Sequence, residues 1–127
     1  MTTAIRSRRV AFYRRTATSE GDEAYQQLDH LTRWLGREPG AVLVRDYLDE
    51  GVSGRLQMSQ RPQGEELLEA AAEDTFDELW ITEPSRLSRE TLDLISVMST
   101  LDHAGVRLVI LDTLHPFVGS AKKDGDM

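Results

Sequence analysis

Short apolar segments alternate with segments of helical periodicity along most of the chain, and this alternation restricts the fold more than any other feature. Four stretches have the length of strands, namely residues 8–15, 41–47, 78–82 and 106–111. Their apolar residues follow one another with few interruptions, as in strands buried on both faces. The pattern predicts a three-layer α/β domain, with a mostly parallel sheet of four to five strands and helices on both faces.

Three segments between these strands have the apolar spacing of amphipathic helices. The first covers residues 22–35. The second begins at Pro62, a residue type that suits the first turn of a helix. We expect Ser88 to cap the third and longest helix and Gly105 to lie at its end.

The composition excludes several classes of protein. The 127 residues include no cysteine, and the three histidines (His30, His103 and His115) have no metal-binding spacing. We therefore expect neither a metal nor a cofactor. No apolar run is long enough for a membrane span and no signal-peptide pattern opens the chain, so we expect a cytoplasmic protein. We expect one domain over residues 1–118 and a frayed tail over residues 119–127.

The charge is acidic overall and unevenly distributed. A net charge of −7 argues against strong DNA binding by this chain alone, because duplex binding usually draws on a basic surface. Residues 1–15 contain five arginines and no acid, whereas residues 62–83 contain eight acids and no base. A molecule with this asymmetry can still present one phosphate-binding face.

Polar residues follow three of the predicted strands at their carboxyl ends. Arg15 and Ala17 follow the first strand, residues 49–61 follow the second, and residues 85–89 follow the third. Because the carboxyl ends of parallel strands meet at one edge of a sheet, where ligand sites form, these residues predict a single site.

Arg86 and Arg89 are three residues apart, which places both on one side of a helix's first turn if a helix begins there. Two guanidinium groups beside free helix N–H groups make a receptor for phosphate. The alternative is a pair of surface arginines bound to Glu83 or Glu90. Spacing alone does not decide between them.

The polar segments resemble the catalytic domain of the serine recombinases, which include resolvases, invertases and large serine integrases. Three strings carry the resemblance: Tyr13-Arg14-Arg15-Thr16-Ala17, Asp49-Glu50-Gly51-Val52-Ser53-Gly54 with the later Arg61-Pro62, and Ser85-Arg86-Leu87-Ser88-Arg89. The match covers residues 8 to about 113. The resemblance implies a catalytic cage of Arg15, Arg61, Arg86 and Arg89. It also implies supporting residues, namely Tyr13, Ser85, and Gln26 with its neighbour Gln27.

The resemblance also implies the chemistry, which needs no metal. A serine hydroxyl attacks a DNA phosphodiester, which leaves a 5′-phosphoserine linkage and a free 3′-hydroxyl, and the reverse attack rejoins exchanged ends. Arginines suit this reaction because they stay charged and hold phosphoryl groups bidentately. In this sequence Ala17 stands at the nucleophile position, so strand cleavage is not expected.

Neighbouring hydroxyls are poor substitutes for the missing serine. Side chains alternate along a strand, so Ala17 shares a face with Arg15, whereas Thr16 and Thr18 point the other way. Ser19 has the right parity but lies two residues farther along the loop.

Three interpretations of function stay open. The chain is the catalytic domain of a working recombinase whose nucleophile was changed to alanine, or a natural degenerate homologue that serves as a binding or regulatory module. The third is an enzyme that uses the arginine pocket for a small anionic ligand. The expected partner is the DNA phosphate backbone, bound weakly. Family members continue into a pairing helix and a DNA-binding domain that we do not find before Met127, so a monomer and a homodimer both fit.

Overall fold

The fold is built on one sheet, seen here in a computed structural model that describes residues 7–111 and the backbone of residues 117–118. The strands are β1 (Arg8–Thr16), β2 (Ala41–Glu50), β3 (Glu78–Ile81), β4 (Arg107–Ile110) and β5 (Phe117–Val118). Their order across the sheet is β2-β1-β3-β4-β5. The first four strands are parallel, and β5 pairs antiparallel with β4. The predicted fold class is therefore confirmed.

Three helices cover the sheet: α1 (Glu23–Leu35), α2 (Pro62–Ala72) and α3 (Thr91–His103). In the described part of the chain, none of them has the length and apolar character needed to cross a bilayer. A cytoplasmic location and the domain limits stay predictions, and the expected frayed tail lies outside the described residues.

The alternation of side chains along β1 assigns the helices to the two faces. Val10 and Phe12 pack with Leu31 of α1. Ala11 and Tyr13 point the other way and belong to the larger core cluster, which also contains residues of α2 and α3. The central strand is therefore buried on both sides, as its apolar sequence predicts. This also fixes the face on which Arg15, two residues beyond Tyr13, must lie.

The segment before α3 differs from the prediction. The prediction that Ser88 caps α3 is wrong, because α3 begins at Thr91 and the Ser88 hydroxyl accepts the N–H of Glu90 at 3.0 Å. The cause is a contact between loops, since the N–H of Arg89 donates to the Gly54 carbonyl at 2.9 Å and holds this segment out of the helix. The prediction for Gly105 is confirmed, because it follows α3 with a left-handed φ of +79°.

Two arginines near the start of the chain, Arg8 and Arg9, are paired with acids. Arg8 pairs with Glu38 at 3.0 Å and with Glu78 at 3.1 Å. Arg9 pairs with Asp77 at 2.9 Å. Both arginines lie at the amino end of β1, opposite the edge at which Arg15 lies. Ion pairs thus neutralise Arg8 and Arg9, and these two arginines lie at the wrong edge of the sheet to add to a site at the carboxyl edge.

Candidate functional site

Four arginines from three separate segments converge around Gly54 at the carboxyl edge of the sheet. Arg61 Nη2 donates to the Gly54 carbonyl at 3.4 Å, and the N–H of Arg89 donates to the same oxygen. A Cβ placed on Gly54 would lie 2.7 Å from Arg15 Nη2 and from Arg89 Cγ. The Arg86 carbonyl accepts from Arg15 Nε and from Arg61 Nη1, each at 3.2 Å. The structure therefore brings all four predicted arginines together.

Two of these arginines are buried and bonded to backbone carbonyls. Arg15 is 1% exposed and donates to Val52 O at 2.9 Å and to Ser85 O at 2.8 Å. Arg61 is completely buried and donates to Leu56 O at 3.0 Å. Their guanidinium groups thus tie the three segments to one another. Ser85 takes part through its carbonyl oxygen.

Asp49 anchors this cluster and was not among the residues singled out from the sequence. Its buried carboxylate accepts the hydroxyl of Tyr13 at 2.9 Å, and Tyr13 in turn accepts Arg61 Nη1 at 3.1 Å. The Asp49 carboxylate also accepts the N–H groups of Gln63 and Gly64, each at 2.9 Å, in the first turn of α2. Arg61 is the N-cap of α2, and its side chain has no hydrogen-bond acceptor. The sequence therefore indicated that another residue must accept the free N–H groups at the start of α2.

The hydroxyl of Tyr13 stays protonated at neutral pH. Burial raises its pKa well above that of a free phenol, and the positive charge of Arg61 opposes this only partly. The tyrosine can therefore donate to Asp49 and accept from Arg61 at the same time. This relay of hydrogen bonds, from Arg61 through Tyr13 to Asp49, connects the start of α2 to the ends of β1 and β2.

Arg86 and Arg89 do not lie in the first turn of α3, so the expected contribution of helix N–H groups to an anion site at these residues is wrong. Arg86 is the last residue of a 3₁₀ turn over Pro84–Arg86, and Arg89 lies two residues before α3 begins at Thr91. Between the 3₁₀ turn and α3, the N–H of Arg89 bonds to Gly54 O instead of to a carbonyl of its own segment.

The outer two arginines differ in how they are paired. Arg86 binds Glu23 at 2.9 Å and Glu83 at 2.8 Å, so the alternative interpretation of a pair with Glu83 is realised. Its buried Nε has no partner among the described residues. Arg89 is exposed and forms no salt bridge within the described part of the chain, because Glu90 pairs with Arg55 instead.

The cluster carries an excess of positive charge. The pKa of Arg15 is lowered, first by burial and next by the positive charge of Arg61, with smaller contributions from Arg86 and Arg89. Over residues 7–111, neither Arg15 nor Arg61 forms a salt bridge to a carboxylate. An anion bound beside these guanidinium groups would relieve their mutual repulsion.

Ala17, the residue predicted to stand at the nucleophile position, is exposed and directly follows the end of β1. The Thr16 hydroxyl is used within the loop, donating to Thr18 O at 2.7 Å and accepting the N–H of Gly51 at 3.2 Å. The Thr18 hydroxyl accepts a backbone N–H at 2.9 Å. Ser19 is exposed. Both threonines therefore have structural partners, as strand parity suggested.

The glutamine beside Arg15 is Gln27, not Gln26. Gln27 is buried, accepts the N–H of Arg15 at 3.3 Å and donates to its carbonyl at 3.0 Å. Gln26 is exposed and donates to Asp22 at 3.2 Å within the first turn of α1. The cause is helical periodicity, because Gln27 lies four residues before Leu31 and both face the interior.

No candidate metal centre is found in residues 7–111, because no three histidine, aspartate or glutamate side chains are grouped closely enough to hold an ion. His30 Nε2 lies 2.5 Å from Leu111 O and His103 Nδ1 lies 2.8 Å from Ser99 O. His115 lies outside the described residues. The two described histidines thus contact backbone oxygens away from the arginine cluster.

Gly54→Ala tests how tightly the cluster is packed. We expect a loss of about 1–3 kcal/mol in the free energy of unfolding, because the new methyl group overlaps Arg15, which cannot move, and the stem of Arg89. Urea unfolding followed by circular dichroism measures this. Gly36→Ala is the matched control, since its Cβ would have no neighbour closer than 3.6 Å and its φ is −66°. Equal effects of the two changes would contradict the close packing.

Comparisons with known proteins were consistent in sequence and in fold. Residues 10–124 match the family described as "Resolvase, N terminal domain". The N-terminal catalytic domain of TP901-1 integrase is 26% identical, with 81% of this chain and 77% of that chain covered and a TM-score of 0.74. The C-terminal catalytic domain of ISC1926 TnpA, an IS607-like serine recombinase, is 21% identical, with coverages of 84% and 72% and a TM-score of 0.73.

A resolvase family site-specific recombinase from Streptococcus pneumoniae has the same fold. It is 23% identical, with 83% of this chain and 72% of that chain covered and a TM-score of 0.68. No curated protein sequence is significantly similar to the chain.

Proposed function

Because the chain belongs to the resolvase N-terminal domain family, the catalytic domains of serine recombinases, we propose that it binds DNA phosphate at its arginine cluster without cutting the strand. One observation carries the proposal. Ala17 is exposed two residues beyond Arg15, where the family places its serine, while Arg15, Arg61, Arg86 and Arg89 remain clustered. A site of this kind keeps the receptor and lacks the attacking atom.

The chemistry follows from what the side chains offer. Strand cleavage needs an oxygen that forms a bond to phosphorus while the bond from phosphorus to the 3′-oxygen breaks, and a methyl group has none. The guanidinium groups still match the charge and shape of a phosphodiester. Thr16 and Thr18 support the proposal as well, because their hydroxyls are bonded within the loop.

Binding through this site is expected to be weak and to depend on Arg89. The chain has a net charge of −7, and every side-chain nitrogen of Arg15 and Arg61 already donates a hydrogen bond within the chain. Arg89 is the exposed guanidinium of the cluster. A phosphate approaching from solvent would therefore contact Arg89 first, and the buried arginines would act through their charge.

Arg89→Ala should weaken binding to a short duplex about tenfold at low salt, since it removes a charge-assisted hydrogen bond. The slope of log affinity against log salt should fall by about one. Fluorescence anisotropy with a labelled duplex between low and moderate ionic strength measures both quantities.

Arg33→Ala is the matched control, because Arg33 is exposed in the last turn of α1 and pairs with Asp29, away from the cluster. Equal effects of the two variants would contradict binding at the cluster, and no retention of duplex at low ionic strength would remove the DNA role. If small phosphates or carboxylates instead raise the melting temperature, and Arg86→Ala abolishes the effect, the small-ligand alternative is the better account.

A further inference from the structure

The outward edge of Arg86 is occupied by two carboxylates of the same chain. Glu23, the first residue of α1, reaches Nη1 at 2.9 Å, and Glu83, just before the 3₁₀ turn, reaches Nη2 at 2.8 Å. In a carboxylate–guanidinium pair the carboxylate oxygens take the places that phosphate oxygens would take. These acids therefore sit where a phosphate ligand of Arg86 would bind.

The two partners of this contact differ in exposure to solvent. The Arg86 side chain is 11% exposed, and its Nη1 is also held by the Arg15 carbonyl at 3.2 Å. The side chains of Glu23 and Glu83 are 42% and 49% exposed. Exposed ion pairs are weak and their carboxylates are easily rehydrated. The glutamates can therefore leave while the guanidinium stays in place.

Arg86 also has binding capacity that its own chain does not use. Its Nε is buried and has no hydrogen-bond partner among the described residues. An unpaired buried donor is unfavourable, so an acceptor at that position would be favoured. The two glutamates thus occupy the guanidinium without saturating it.

We propose that Glu23 and Glu83 are competitors for the phosphate site, and that a phosphate group binds Arg86 by displacing their carboxylates. This inference rests on the proposed function. Two carboxylates and a phosphate cannot share one guanidinium edge without strong repulsion between like charges. Displacement therefore lowers the affinity for a phosphate at Arg86. Contacts elsewhere, such as those to Arg89, would have to offset this cost.

Glu23→Gln and Glu83→Gln test the proposal, because glutamine keeps the size of the side chain and removes the charge. We expect each change to tighten duplex binding about threefold to tenfold, and the double change to tighten it further. The gain should vanish in an Arg86→Gln background. Fluorescence anisotropy measures the affinities, and circular dichroism shows whether the variants are folded.

Glu20→Gln is the matched control. It removes the same charge from an exposed position in the loop after β1, and it has no salt bridge to Arg86 among the described residues. A general loss of repulsion towards DNA would tighten binding equally in this control. Equal gains in the control and the two variants, or gains that persist without Arg86, overturn the inference.

A second measurement separates this inference from the proposed function. The Nε–H resonance of Arg86, assigned by its absence in Arg86→Gln, is followed by NMR while inorganic phosphate is added. We expect a larger shift, at lower phosphate concentration, in the double glutamine variant than in the unsubstituted chain. If phosphate shifts the resonance but no variant retains duplex, the DNA role fails and the competition stands. No shift in either protein overturns the competition.

Discussion

Ala17→Ser is expected to give this chain a covalent link to DNA that the unsubstituted chain cannot form. The new hydroxyl would stand just after the end of β1, two residues beyond Arg15 of the guanidinium cluster. Losing the nucleophile of an enzyme that works through a covalent intermediate costs on the order of 10⁴-fold or more in rate, so restoring it should change an undetectable product into a measurable one. End-labelled duplex of randomised sequence, resolved on a denaturing gel, reveals the protein-linked strand.

Two further variants make this result interpretable. Ala17→Gly has no side-chain oxygen and should give no adduct, and Arg86→Ala combined with Ala17→Ser should lower the yield strongly. Mass spectrometry should place the nucleotide on the peptide containing position 17. An adduct in the unsubstituted chain would show that another hydroxyl attacks. Absence of an adduct from DNA that Ala17→Ser demonstrably retains would show that the cluster does not support cleavage.

Asp49→Ala should lower the free energy of unfolding by about 3–5 kcal/mol, which corresponds to a melting temperature lower by roughly 10–15 °C. The change removes the acceptor of the Tyr13 hydroxyl and of the N–H groups of Gln63 and Gly64. It also leaves the buried charge of Arg61 without the carboxylate at the end of its relay. Urea unfolding followed by far-ultraviolet circular dichroism measures the loss.

Asp29→Ala is the comparison for this change. Asp29 forms an exposed pair with Arg33 on α1, and removing such a pair costs less than about 1 kcal/mol. If Asp49→Ala is no more damaging than Asp29→Ala, the relay from Asp49 through Tyr13 to Arg61 does not hold the loops together.

The order of strands and helices along the chain could be predicted from the sequence, because it depends on local apolar runs. The predicted strand over residues 8–15 and helix over residues 22–35 agree with β1 and α1 to within one residue. The order of the strands across the sheet could not be predicted, since strand pairing depends on contacts between distant residues. As a result, β2 lies at the sheet edge with Val42 and Val44 exposed, although its apolar sequence suggested burial on both faces.

Only some of the residues that form the site could be predicted from the sequence, for a similar reason. Parallel strands bring Arg15, Arg61 and Arg86 to one edge whatever the details, so their proximity follows from topology. The orientation of each guanidinium does not, because it is set by carbonyls such as Val52 O and Ser85 O in loops without regular structure. The choice between Gln26 and Gln27, the role of Asp49 and the start of α3 could not be predicted, because each depends on a contact between separate segments.

Arg15 and Arg61 hold the loops together as much as they shape an anion receptor. A lineage that stopped cutting DNA would therefore keep both residues simply to stay folded, whereas the nucleophile, exposed at the end of a strand, could drift freely. In such a lineage the presence of Arg15 and Arg61 would reflect the needs of folding, and only the residue at position 17 would report on cleavage.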